Sequence, residues 1–80
     1  MKTIVFAPAA AKQFDALPGV APIAIDNALT RYAIEGRGDV KRLVGRDGFR
    51  MRVGEYRLLF DEDAATVLAV YVGRRQTNTY

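Results

Sequence analysis

From Phe49 to Phe60 the sequence alternates with a period of two. Phe49, Met51 and Val53 interleave with Arg50 and Arg52, and Tyr56, Leu58 and Phe60 interleave with Arg57 and Leu59. That period belongs to half-buried strands and not to helices. Between the two runs, Gly54-Glu55 is a two-residue connection with glycine first, the sequence mark of a type II′ hairpin turn. So short a turn leaves the register no freedom: Val53 faces Tyr56, Arg52 faces Arg57, Met51 faces Leu58, Arg50 faces Leu59 and Phe49 faces Phe60. The apolar side chains then share one face of the hairpin. The other face carries Arg50, Arg52 and Arg57 with Leu59, and no carboxylate before Asp61.

An apolar hairpin face must be covered by a second layer. The upstream sequence supplies one. Ala10, Phe14 and Leu17 recur at i, i+4, i+7 and predict a short helix over residues 9–17, closed by the turn Pro18-Gly19. Ile25, Leu29 and Tyr32 repeat the spacing with Ala21, Ala28 and Ala33 beside them. Pro22 suits the first turn of that second helix, and Gly36 suits its left-handed stop. Lys2 to Phe6 reads as a strand at a sheet edge, and residues 36–48, rich in glycine and charge, read as a connecting loop anchored by Leu43 and Val44. After a turn at Asp61-Glu62-Asp63, residues 66–72 are apolar on both faces and predict a central strand. If Leu68, Val70 and Val72 pack on the helices, Ala69, Tyr71, Gly73 and Arg75 lie on the arginine face. The expected order is β-α-α-β-β-β: one α+β domain over residues 1–80, a helical hairpin on a small, mainly antiparallel sheet.

The chain has no cysteine and no histidine, which excludes disulfides, thiolate metal sites, cysteine nucleophiles and imidazole acid/base catalysis. No metal or other cofactor is expected. Its apolar runs fall far short of the ~20 residues that cross a bilayer, and Met1 to Phe6 is too short for the core of a signal peptide, so a cytoplasmic protein without membrane contact is expected. The net charge of +3 says little by itself. Its distribution says more, because Arg46, Arg50, Arg52, Arg57, Arg74 and Arg75 all lie in the second half. Arginines on a solvated sheet face more often solubilise than act. Here no Glu or Lys is interleaved, and Arg52 opposite Arg57 is a like-charge pair that an isolated sheet disfavours. An anion would relieve it, and guanidinium forks match phosphate oxygens. The glycine-rich stretch lacks the lysine-serine ending of a phosphate-binding P-loop.

Three stretches, Asp39-Val40-Lys41-Arg42-Leu43-Val44-Gly45, then Gly48 through Phe60, then Val72-Gly73-Arg74-Arg75 with Tyr80, resemble toxins of the RelE/ParE superfamily from type II toxin-antitoxin systems, closer to RelE. The resemblance covers residues 39–80, and the preceding strand and two helices follow the family's order. It implies a ribosome-dependent endoribonuclease that cleaves messenger RNA by attack of a 2′-hydroxyl on the adjacent phosphate, inhibits translation and growth, and is neutralised by a cognate antitoxin in a hetero-oligomer. The site residues it implies are Arg50, Arg52, Arg57, Arg75 and Tyr80, with Lys41, Arg42, Arg46 and Arg74 as further RNA contacts. Two departures stand out. Arg50 and Arg52 occupy positions where RelE has lysines, and a guanidinium is a poor general base. The family's C-terminal helix is absent or minimal. The alternatives are a ParE-like inhibitor of DNA gyrase that cleaves nothing, and a nucleic-acid-binding module without catalysis.

Overall fold

The computed structural model describes residues 1–75. In chain order the elements are β1 (Thr3–Phe6), α1 (Pro8–Asp15), α2 (Ala21–Glu35), β2 (Asp39–Arg42), β3 (Phe49–Val53), β4 (Tyr56–Glu62) and β5 (Thr66–Arg74). The strands form one sheet in the order β1-β5-β4-β3-β2, in which β1 and β5 run parallel and every other pair is antiparallel. Both helices lie on one face.

The helices form where the apolar period and the glycine and proline punctuation place them. Pro8 and Pro22 sit in first turns, where no N–H is required of them. At the end of α2, Gly36 adopts φ 72° and its N–H donates to the Tyr32 carbonyl at 2.9 Å. Ala10, Ile25 and Leu29 meet Met51, Leu58, Phe60, Val67, Ala69 and Val72 in a core whose members are each at most 3% exposed. Fully burying a side chain such as Leu58 or Ile25 contributes about 1.5–3 kcal/mol. Phe60 anchors the centre, with the Phe49 ring stacked on it at 5.5 Å and the Tyr32 ring edge-on at 5.4 Å.

The β3–β4 register matches the expected one at all five pairs, from Val53–Tyr56 to Phe49–Phe60. Gly54 takes φ 57°, so the turn uses the left-handed conformation for which glycine is suited. Two expectations are corrected. The stretch read as a loop contains an edge strand, β2, in which Val40 faces Met51 on the core side while Asp39 and Lys41 face Arg52 and Arg50 on the other. Glycines on both sides leave that strand only four residues, too short for its alternation to stand out.

The second correction concerns β5. Phe60 pairs with Ala69 and Leu59 with Tyr71, so Val70 is an extra residue, a β-bulge. Val67, Ala69 and Val72 therefore face the core, whereas Leu68, Tyr71 and Gly73 face away. Ala69 is not on the arginine face, and Leu68 is not under the helices. A strict alternation cannot foresee two residues opposing one.

Where β1 ends, α1 takes over its neighbour: the Gln13 side chain accepts the Val72 N–H at 2.8 Å. At the other end of the sheet Glu62 accepts from Lys2 Nζ at 2.6 Å and from the Tyr32 hydroxyl at 2.7 Å, joining the N-terminal segment, α2 and β4.

Candidate functional site

The sheet face away from the helices divides into two halves. Near the hairpin turn, β3 contributes Arg50 and Arg52, β4 contributes Arg57, and the edge strand adds Lys41 beside Arg50. Arg75 follows β5 there. Its N–H donates to the Glu55 carbonyl at 2.7 Å and its guanidinium to the Gly54 carbonyl at 3.1 Å, which fixes it against the turn. Towards β1 the same face becomes more apolar, with Leu59, Leu68 and the 43%-exposed Val5, which pairs with Leu68, while the exposed Asp61, the β4 partner of Leu68, adds a carboxylate there.

The arginines are not equivalent. Arg50 lies low on the sheet, its side chain 13% exposed, and meets Asp39 Oδ1 at 3.5 Å, a long and weakly neutralising contact. Asp39 is the acidic residue that the hairpin alone did not reveal; β2 brings it opposite Arg52. Arg52 itself is exposed. Arg57 faces Arg52 on one side and Gly73 on the other. Among the described residues, one buried side-chain polar atom lacks a hydrogen-bond partner: Arg57 Nε. A buried donor without an acceptor costs roughly 1–3 kcal/mol, so the protein is holding a desolvated N–H at the centre of a positive face.

The remaining residues singled out in the sequence lie elsewhere. Arg42 pairs with Phe49 on the helix side of the sheet, its guanidinium 5.2 Å from that ring's centre. Arg74 pairs with Glu55 at 2.9 Å and sits 5.9 Å over the Tyr56 ring. This partner raises its affinity for the proton through the Glu55 hydrogen bond and charge. Arg46 is exposed in the loop between β2 and β3. Tyr80 lies outside the described residues. The structure thus brings together Lys41, Arg50, Arg52, Arg57 and Arg75, and separates them from Arg42 and Arg74. Tyr71 joins the first group, across from Leu59 and two residues along the ladder from the Arg57–Gly73 pair.

This is a small α+β sheet with two helices on one side and a basic, open other side. No protein-family model matches the sequence, and no curated protein does. Among solved structures the fold is that of RelE toxins. The chain is similar to the isolated Escherichia coli RelE toxin, with a TM-score of 0.81 at 17% identity over 99% of this chain and 89% of that one. It is similar to the chain matched in the RelB-RelE antitoxin-toxin complex from Methanococcus jannaschii, with a TM-score of 0.73 at 22% identity over 89% and 90%. The RelBE2 toxin-antitoxin complex from Mycobacterium tuberculosis gives 28% identity, a TM-score of 0.65 and coverage of 92% and 98%. The RelE-like architecture expected from the sequence is therefore present. Among the described residues, no helix is long and apolar enough to cross a membrane.

Proposed function

We propose that the chain is the toxin of a type II toxin-antitoxin system and cleaves messenger RNA on the ribosome. The observation that carries this reading is the arginine face, with the half-buried Arg57 directly opposite the exposed Arg52 and no carboxylate between them. The outer N–H groups of these guanidiniums match phosphate oxygens, and charge-assisted bonds of this kind are strongest where water is excluded. In RNA, attack of a 2′-hydroxyl on the adjacent phosphate gives a cyclic phosphate and releases a 5′-hydroxyl. The negative charge of the transition state grows on the phosphate, where Arg52 and Arg57 meet it, with Arg50 and Arg75 at the flanks. A single well-placed donor of this kind accounts for about two to three orders of magnitude in rate. Guanidinium groups remain protonated, so the acceptor for the 2′-hydroxyl proton is another group: Tyr80 or a component of the ribosome.

The reading includes a cognate antitoxin, since several structurally similar chains are described in complex with RelB. An amphipathic antitoxin helix would lie on the apolar half formed by Val5, Leu59 and Leu68 and carry acidic residues to the arginines. Induced expression without antitoxin, followed by mapping of transcript 5′ ends, tests the activity. New translation-dependent 5′ ends are expected. Growth arrest with intact transcripts and gyrase-linked DNA breaks would replace this reading with gyrase inhibition. Copurification with the product of the adjacent reading frame tests the partner.

A further inference from the structure

We propose that Tyr71 is a stacking platform for one unpaired nucleobase next to the phosphate-facing arginines, an inference that rests on the RNA reading above. Tyr71 stands on the interior strand β5, facing away from the helices and 37% exposed. Its register partner is Leu59, and the next pair on the same face is Arg57 with Gly73. The ring does not point outward. It lies along β5 over Gly73: the position a Cβ would take there is 2.6 Å from Tyr71 Cζ and 2.9 Å from Cε2, with the hydroxyl oxygen closer still.

Gly73 is not among the glycines with positive φ, so its conformational freedom is not what the strand uses. It supplies space. Any side chain at that position would lift the ring off the sheet. The tyrosine is thus laid down beside Arg57 by a neighbour that has no side chain. Tyr32 and Tyr56 are engaged otherwise, the first by Glu62 and the second under Arg74. Tyr71 faces solvent on the side where the backbone of an RNA strand would run. Every base has a π-face, so a ring next to phosphate-binding forks adds affinity with little preference for sequence.

The test measures binding to a short, labelled single-stranded RNA and to an abasic phosphodiester of equal length. Both carry 2′-O-methyl groups, which remove the nucleophile and prevent turnover. The whole chain should bind the base-bearing strand roughly ten-fold more tightly than the abasic one, within the range of one stacked base. Tyr71→Ala should abolish that difference and leave abasic binding unchanged, and Tyr71→Phe should retain it. Gly73→Ala should reduce the difference while preserving the melting temperature. A difference that persists in Tyr71→Ala, or a loss shared equally by both strands, overturns the proposal. Arg52→Ala reports separately on the phosphate reading: undiminished binding of both strands in that variant overturns the RNA face itself, whatever Tyr71 does.

Discussion

Arg57 is the residue on which stability and activity separate. It faces a like charge in Arg52, and its Nε is buried without an acceptor, so truncating it removes two unfavourable terms. Arg57→Ala should leave the melting temperature level or raise it, by up to about 1 kcal/mol in stability, while the proposed messenger cleavage, assayed in a translation extract, falls about 100-fold or more. Arg57→Lys should restore only part of the activity, because a point charge does not reproduce the planar fork. Unfolding of the alanine variant would make the residue structural; full cleavage by a folded one would remove phosphate chemistry from this face. The hairpin arginines were legible in the sequence because a two-residue turn sets register by a purely local rule. Arg42 was not, since its side of the sheet depends on β2, and without that strand nothing places its guanidinium on Phe49.

Among the elements, β4 and β5 carry information that alternation alone conceals. Because Val70 is the residue in excess, its deletion should preserve the pairs Phe60–Ala69 and Leu59–Tyr71 and their faces. Deleting Leu68 should instead turn Val67 out of the core, and thermal melting should show a folded chain in the first case and none in the second. The end of β4 is held differently. Burial favours the neutral form of Glu62, but hydrogen bonds from Lys2 and Tyr32, with the Lys2 charge, outweigh it and hold the carboxyl below its ordinary value of 4.5. A lowered folded value means the network's contribution is complete above pH 4.5 and is lost as pH falls through the folded value. Burial, then the bond and charge of Glu62, push the Tyr32 phenol up from 10.0 to about 12. Stability should therefore be lost as pH rises from 10 towards 12. That loss is on the order of 1–2 kcal/mol once solvent screening is allowed for. Tyr32→Phe should flatten the alkaline limb of a denaturation series, and Glu62→Gln the acid limb. An unchanged profile in either variant would dismiss the network. None of this was visible beforehand: Lys2, Tyr32 and Glu62 are far apart in the chain, and only the closed sheet brings them together.

For the molecule as a whole, one layer stabilises and the other is the one proposed to recognise. Core and helices sit on one side, while the cations gather on the side with little cover. If four of them neutralise phosphates, log K for a single-stranded RNA should fall with log[salt] at a slope of about −3, and Arg52→Ala should make it shallower by about 0.7. A flat salt dependence would contradict the face's role. The architecture was largely readable from periodicity, apart from β2 and the bulge, but the parallel pairing of β1 with β5 was not, because no local signal links chain ends. That pairing also sets an order of events. Thr3 waits for Thr66 and Phe6 for Ala69, so β1 has no neighbour in the sheet until β5 has been made. The arginine hairpin can close before then, but β4 still lacks β5, and much of the core that should lie beneath the helices is missing. A chain lacking β5 would leave β1 without a partner and the helices without Val67, Ala69 and Val72 beneath them, so the strand that carries Tyr71 is also the one on which both layers close.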